Sequence, residues 1–175
     1  VVSDLHGRTL GGRLLEKIKE EKPDYILLTG DVISRRSKEG QFPMEFLREL
    51  SAVAKTYYIS GNHEMDNPEG LLFLKALQEL PIINLNDKIN ADGDILFMGI
   101  NNYHDEERFL KALEKVKEEG EKEGGLRVLL AHRPERFDAY KELKPDLVLS
   151  GHTHGGQIRL PFVGALVAPN QGFFP

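Results

Sequence analysis

Short runs of apolar residues alternate along the chain with longer stretches in which apolar side chains recur every three or four positions. A short run predicts a buried strand, whereas the longer spacing predicts a helix with one apolar face. Strands are predicted at 1–2, 25–28, 56–59, 82–83, 95–100, 126–131 and 147–149, and a hairpin at 157–160 and 165–168. Helices are predicted around 14–18 and at 44–53, 68–80, 106–119 and 134–143. This alternation of strands and helices predicts an α/β fold.

The spacing also predicts which side chains two of the helices bury. In the helix at 68–80, the buried face is predicted to carry Leu71, Leu72, Leu74 and Leu77. In the helix at 106–119, the buried face is predicted to carry Phe109, Leu110, Leu113 and Val116. The stretch 84–93 is rich in turn-forming residues and predicts a connection between two strands.

Composition limits the class of protein. The 175 residues fit one domain, since domains cluster around ~100–150 residues. The net charge of −5 and the lack of a basic stripe argue against a nucleic-acid partner. The chain contains no cysteine, so any metal ion must be bound by histidine, carboxylate, asparagine or backbone groups. It has no run of ~20 apolar residues, so no segment is predicted to span a membrane.

The two ends of the chain predict a larger protein. The chain opens at Val1 inside an apolar run, without an initiator methionine, and it closes on Phe173, Phe174 and Pro175. We therefore expect one domain over residues 1–175 that is truncated at both ends. A membrane anchor before Val1 stays open, and the expected location is accordingly cytoplasmic or membrane-associated.

Five polar motifs share one position in the predicted fold, because each directly follows an apolar strand. They are Asp4-x-His6, Gly30-Asp31, Gly61-Asn62-His63, His132 and Gly151-His152-Thr153-His154. In open α/β sheets, ligands bind beyond the carboxyl ends of the strands. The only one of the six histidines outside these motifs is His104, which is expected to be a loop residue near the cleft without a metal.

The motifs combine imidazole with carboxylate and amide oxygen as metal donors. This mixture suits Mn, Fe, Zn, Ni or Co better than Ca or Mg. Seven candidate ligands are too many for one ion and suit two ions that share a carboxylate. Such two-metal sites clamp an in-line displacement at phosphorus. The candidate ligands are Asp4, His6, Asp31, Asn62, His132, His152 and His154.

The order D-x-H, G-D, G-N-H, H and G-H-x-H, which runs between Asp4 and His154, resembles the calcineurin-like metallophosphoesterase superfamily. The segments 131–135, 151–161 and 168–175 are similar to one branch of it, the small bacterial phosphodiesterases that are often tethered by an N-terminal membrane segment. The resemblance implies a four-layer αββα sandwich, in which two mixed sheets are flanked by helices. It places a dinuclear metal site at the C-terminal ends of the strands.

The resemblance also implies a role for each motif residue. His63 would be the catalytic residue that protonates the leaving-group oxygen or orients the phosphate, and it would not bind metal. The implied ligands are Asp4, His6 and His154 for one ion, Asn62, His132 and His152 for the other, and Asp31 between the two.

The function implied by the resemblance is hydrolysis of a small phosphate ester by a metal-bridging hydroxide, with a phosphodiester ahead of a phosphomonoester. Two divalent ions are the expected cofactors, manganese first and iron, zinc or nickel as alternatives. Two other functions stay open: a pyrophosphatase that acts on a nucleotide-linked lipid at a membrane, and a metal-binding scaffold without turnover. The acidic charge disfavours a nuclease, and the oligomeric state is not predicted.

Arginines near the motifs are weaker candidates for phosphate contacts. In some phosphatases of the superfamily an Asp-Arg pair follows the G-D block, whereas this chain has Ser34-Arg35 at that place. The guanidinium of Arg35 can still contact a phosphate oxygen. Arg133 directly follows a candidate ligand and is expected to point away from the site.

Overall fold

The computed structural model describes residues 1–8 and 12–154, together with the backbone of three strands within 158–173. The helices are α1 Arg13–Glu21, α2 Met44–Val53, α3 Asn62–Asp66, α4 Gly70–Leu77, α5 Glu106–Gly120 and α6 Phe137–Tyr140. The strands are β1 Tyr25–Leu28, β2 Lys55–Tyr58, β3 Ile82–Asn84, β4 Lys88–Asp92, β5 Ile95–Ile100, β6 Leu126–Ala131, β7 Leu147–Leu149, β8 Ile158–Leu160, β9 Gly164–Ala168 and β10 Gly172–Phe173. This order confirms the α/β class.

Two sheets position the polar motifs. The first has the order β1-β2-β3 and is parallel throughout its described strands. Val2 adds a single parallel bridge to Leu28 at its edge. The second sheet has the order β4-β5-β6-β7 and is mixed, because β4 is antiparallel to β5 while β5, β6 and β7 are parallel. The strands β8, β9 and β10 form an antiparallel group of their own.

The two sheets pack against each other through apolar side chains of alternate strand positions. Tyr57 from the first sheet stacks on Phe97 from the second, with ring centroids 4.2 Å apart. Val128 and Leu130 of β6 belong to the same buried cluster. Since successive side chains of a strand point to opposite faces, Tyr58 turns away from this interface.

Helices cover the outer face of each sheet. Tyr58 and Leu28 pack with side chains of α1, α2 and α4, such as Leu47 and Phe73. On the other side, β5 and β6 pack with α5 and α6 through residues that include Phe109. Helix, sheet, sheet and helix therefore form the four layers that the resemblance implies.

The buried faces of two helices differ from the prediction. Helix α4 buries Phe73 and Leu77, which lie one turn apart, while Leu71 is 82% exposed and Leu72 is also exposed. Helix α5 buries Phe109, Leu113 and Val116 as predicted, but Leu110 is exposed. The apolar run at the start of α4 is wider than the face that the sheet covers, so spacing alone assigned too many leucines to the core.

The predicted connection at 84–93 contains strand β4, which the sequence did not predict. Its side chains include Lys88, Asn90 and Asp92, and they form the edge of the second sheet. Polar residues are tolerated on an edge strand, because one side of such a strand faces water. With so many polar residues, this stretch lacks the apolar run that predicts a strand. Within the part of the chain that the structure describes, no helix is long and apolar enough to cross a membrane.

Candidate metal centre

The carboxyl ends of the parallel strands bring the five motifs to one edge of the molecule. Backbone hydrogen bonds hold the motif loops in register: Asp4 N–H donates to Gly30 O (3.1 Å) and His6 N–H donates to Asp31 O (2.9 Å). Within the second sheet's loops, Gly151 N–H donates to His132 O (3.2 Å). The site therefore lies over the seam between the sheets, with loops from both.

One group of donors consists of Asp4, His6 and His154, whose ligand atoms all lie within 4.8 Å of one another. The Nε2 atoms of His6 and His154 are 3.3 Å apart, and His154 Nε2 is 3.5 Å from Asp4 Oδ1. Asp4 is itself held in place by the backbone N–H of His152, which donates to its carboxylate at 3.1 Å.

A second group consists of Asp31, His132 and His152, again within 4.8 Å. His132 Nε2 lies 3.4 Å from Asp31 Oδ2 and 3.1 Å from Asn62 Oδ1. The other ring nitrogen, Nδ1, lies 2.8 Å from Thr29 O, an acceptor only. Nδ1 therefore carries a proton, and Nε2 is the ring nitrogen that faces Asp31 and Asn62. A backbone carbonyl on the second ring nitrogen is the usual arrangement for a metal-binding histidine.

His63 lies between these groups. Its Nδ1 is 3.0 Å from His6 Nδ1, and His6, Asp31 and His63 form a third set of donors within 4.8 Å. Its backbone N–H donates to Asp31 Oδ1 at 2.7 Å, whereas its Nε2 is 4.0 Å from Asp31 Oδ2. Asp31 belongs to both the second and the third set, and His6 joins the third set to the first.

Backbone strain is concentrated at the same residues. Eight non-glycine residues of the described part have a positive φ, a conformation that L-amino acids rarely adopt. Five of them belong to the seven predicted ligands. Such strain costs about 1–3 kcal/mol per residue and persists where the surrounding structure imposes it, typically at functional sites. The five are Asp4, His6, Asp31, His152 and His154.

Burial opposes the charged form of these imidazoles. It is the largest cause of a lowered pKa for His6, His63 and His152. For His132, burial also opposes the charged form, but the hydrogen bond and charge of Asp31 outweigh it and raise the pKa. Metal binding requires deprotonated ligands, so low imidazole pKa values favour it at neutral pH.

Two glycines let the loops approach closely. A Cβ atom at Gly61 would lie 2.2 Å from Asp31 Oδ1, and a Cβ atom at Gly151 would lie 2.0 Å from Ser3 Oγ and 2.8 Å from Asp4 Oδ2. Any side chain at either position would push a carboxylate out of the cluster. The glycines of the G-N-H and G-H-x-H motifs thus serve close packing of the ligands.

Sequence reasoning missed Glu64, which lies directly beneath the ligands. Its buried carboxylate accepts hydrogen bonds from the backbone N–H groups of Asp31 (2.9 Å), Ile33 (2.9 Å) and Gly61 (2.7 Å). It therefore ties the loop after β1 to the loop after β2. Burial, followed by the charge of Asp31, raises its pKa to about 7. The available signal was a glutamate three positions after Gly61, the spacing at which a carboxylate reaches back to a helix start.

Replacing Glu64 by glutamine is expected to destabilise the metal-free protein by about 1–3 kcal/mol. The amide keeps one acceptor oxygen but turns an N–H group toward backbone donors, and a buried donor without a partner costs about that much. Denaturant unfolding measures the effect. The matched control is Glu69→Gln, since half-buried Glu69 accepts one backbone N–H, from Glu39. Equal small losses in both variants would show that Glu64 does not hold the loops.

The remaining candidates lie around the rim of the cluster. His104 is exposed and belongs to none of the donor groups in the described structure. Arg133 Nε donates to Asn102 Oδ1 at 2.6 Å, which directs the guanidinium toward the loop after β5. Arg35 has its backbone N–H 3.3 Å from His63 Nδ1.

The donor set fits a pair of divalent ions. It has four imidazoles besides His63, two carboxylates and the amide oxygen of Asn62, all facing one edge. Asp31, which the G-D motif supplies, has a lowered pKa: burial opposes its ionisation, but the hydrogen bonds and charges of His132 and His63 together outweigh burial. It therefore stays an anion at neutral pH. Uncompensated, so many converging lone pairs would repel one another, and cations between them remove that repulsion.

A sandwich with such a cluster at its strand ends defines a class of metal-binding enzymes. The sequence model of the calcineurin-like phosphoesterase family matches residues 1–156. The chain therefore belongs to this family, which implies a hydrolase that uses divalent metal ions.

Relatives with names and structures support the assignment. The chain is 31% identical to the uncharacterized metallophosphoesterase Cj0846 of Campylobacter jejuni, over 99% of this chain and 47% of that protein. It is 32% identical to the phosphodiesterase YaeI of Escherichia coli, over 86% of this chain and 56% of that protein. The chain thus spans about half the length of these relatives. The crystal structure of TT1561 of Thermus thermophilus has the same fold, with a TM-score of 0.62, 20% identity, and coverage of 85% of this chain and 78% of that one.

Proposed function

We propose that the chain is a phosphoesterase that uses two divalent metal ions, and that it acts on phosphodiesters in preference to phosphomonoesters. The observation that carries this proposal is the position of Asp31. Its buried carboxylate lies within reach of two donor groups, which draw residues from both sides of the sheet seam. The name of the YaeI relative supports a phosphodiester as substrate.

The proposed ligands follow from the donor groups. Asp31 is shared, and its two oxygens face His63 N–H and His132 Nε2 respectively. When bound, divalent ions supply Lewis acidity at the phosphoryl oxygen and generate a nucleophile from water at neutral pH. Asp4, His6 and His154 hold the first ion, and Asn62, His132 and His152 hold the second.

His63 serves as the proton donor in this proposal. It lies beside both donor groups, and its backbone is fixed by Asp31. Asn62 directs its amide oxygen toward His132, so the two neighbouring residues of the motif have different targets. His63 is thereby left to face the leaving-group oxygen of a bound ester.

Removal of metal with a chelator is expected to abolish hydrolysis, and reloading with Mn²⁺ is expected to restore it at two ions per chain. The seven-ligand set motivates this stoichiometry. Circular dichroism should not change on chelation, since the buried clusters between and outside the sheets do not include the ligands. Elemental analysis counts the ions, and a panel of phosphodiesters and phosphomonoesters with Mn²⁺, Fe²⁺, Zn²⁺ and Ni²⁺ measures activity. One ion per chain after full loading, or no hydrolysis of any ester, contradicts the proposal.

A further inference from the structure

Four side chains next to the metal ligands form a continuous chain of contacts, which we call the rim chain: Arg35, Asp66, His104 and Arg133. Asp66 Oδ2 pairs with Arg35 Nε at 2.8 Å, and Asp66 Oδ1 lies 2.7 Å from His104 Nε2. His104 Nδ1 in turn lies 3.5 Å from Arg133 Nη2. A guanidinium can only donate, so Nδ1 accepts and His104 donates its Nε2 proton to Asp66.

The rim chain joins loops of both sheets. Arg35 follows β1 and Asp66 ends α3, on the side of the first sheet, while His104 follows β5 and Arg133 follows β6. At one end, the backbone N–H of Arg35 is 3.3 Å from His63 Nδ1. At the other end, Arg133 is anchored to Asn102 and lies 3.8 Å from Glu135. Of the two terminal arginines of the rim chain, Arg133 has further side-chain partners, whereas Arg35, beside His63, pairs only with Asp66 among the described residues.

The rim chain includes exposed side chains that pair with one another. The side chains of Arg35 and His104 are 51% and 59% exposed. Ion pairs of this exposure add little to the stability of a fold. Arg35 uses only Nε for Asp66, and its two terminal nitrogens have no protein partner among the described residues. A guanidinium held through one nitrogen presents the others as a planar fork, which matches a carboxylate or phosphate.

We propose that Arg35 binds a second anionic group of the substrate, carried by the leaving group, and that Asp66 is the residue that positions it. The leaving-group side follows from the contact between the backbone N–H of Arg35 and His63, the proposed proton donor, so the inference rests on the proposed function. Preferred substrates are then phosphate esters whose leaving alcohol carries a carboxylate or a phosphate. Asp66 supplies from α3 the carboxylate partner that the sequence lacks directly before Arg35.

The test compares two esters that differ in one charge. They are 4-carboxyphenyl methyl phosphate and 4-carbamoylphenyl methyl phosphate, in which a neutral amide replaces the carboxylate at nearly the same size. The metal-loaded protein is expected to prefer the carboxylate ester by about tenfold in kcat/KM, since a hydrogen bond to a charged group discriminates by at least this factor. The preference should lie in KM.

A binding measurement gives a second readout that needs no turnover. The probes are 4-carboxybenzylphosphonate and 4-carbamoylbenzylphosphonate, whose P–C bond the enzyme does not cleave. Calorimetry should give a Kd about tenfold lower for the carboxylate, from the same charged hydrogen bond. Arg35→Gln and Asp66→Asn should remove most of this difference, and Arg35→Lys should recover part of it, because lysine keeps the charge without the fork.

The matched control is Glu21→Gln, which removes an exposed ion pair with Lys17 at the amino end of the strands. It should keep the full preference for the carboxylate in both assays. A preference that survives Arg35→Gln and Asp66→Asn, or its absence from the unmodified protein, overturns the inference while leaving the proposed function intact. If no ester is hydrolysed but the phosphonates still show the preference, the proposed function fails and the anion-binding role of Arg35 stands.

Discussion

Replacing Asp31 by alanine is expected to lower the number of bound ions below two and to reduce phosphodiester hydrolysis by roughly 10³-fold or more. Asp31 is the carboxylate shared between donor groups. If the chain binds two ions as proposed, its removal would leave two cations without the anion between them. A bound ion contributes several kcal/mol to transition-state stabilisation, and about 4 kcal/mol corresponds to roughly 10³-fold in rate. Elemental analysis and steady-state kinetics at saturating Mn²⁺ measure both effects.

The control for Asp31 is Asp92→Ala. Asp92 accepts from Tyr57 OH and pairs with Lys55, at the amino end of the parallel strands and away from the cluster. This variant should keep two ions and full activity. The fold should survive Asp31→Ala as well, since the site lies on loops beyond the strands. Two ions and near-normal rates in Asp31→Ala would show that the carboxylate does not join the metal sites.

Replacing His63 by alanine is expected to slow hydrolysis of an alkyl phosphodiester by about 10²–10⁴-fold, the usual contribution of a general acid. An alkoxide is a poor leaving group until it is protonated. A nitrophenolate, whose conjugate acid has a pKa of about 7, leaves almost without help. The same variant should therefore lose little rate on a nitrophenyl phosphodiester.

The nitrophenyl ester thus acts as the internal control for His63, and the metal content is the second control. Two ions should remain in His63→Ala, although the ring lies within 3.0 Å of His6. Equal losses on both esters would assign His63 to phosphate orientation rather than proton donation. Loss of an ion would make His63 a ligand in the third donor set.

The polar motifs were predictable because each follows an apolar run, although the run before Asp4 contributes only a single bridge, at Val2. Parallel strands end at a common edge, so the neighbourhood of Asp4, Asp31 and His132 follows once the strands are assigned. Glu64 was not predictable in the same way. Its partners include backbone N–H groups in a loop about 30 positions earlier, and a backbone group leaves no trace in the residue pattern.

The buried faces of helices and strands were harder to predict, because tertiary contacts as well as the spacing of apolar residues decide which side chains are buried. Leu71 fits the apolar period of α4 but lies where no neighbouring element of the described structure covers it. Strand β4 was missed for the opposite reason: its polar side chains do not predict a strand, yet all of its residues pair with β5. Asp66 was missed because its partners Arg35 and His104 lie on two other loops, and only the fold brings them together.

The first donor group joins residues that lie far apart in the sequence. His6 and His154 meet although 148 positions separate them, and the backbone of His152 closes on Asp4 over the same distance in sequence. During synthesis, Asp4, His6 and Asp31 therefore emerge long before His152 and His154, which complete the second and the first donor group. No fragment that stops before the second sheet has docked can assemble the cluster. If the chain binds two ions as proposed, a molecule that holds both has completed its topology, and metal content would measure the correctly folded fraction of a preparation.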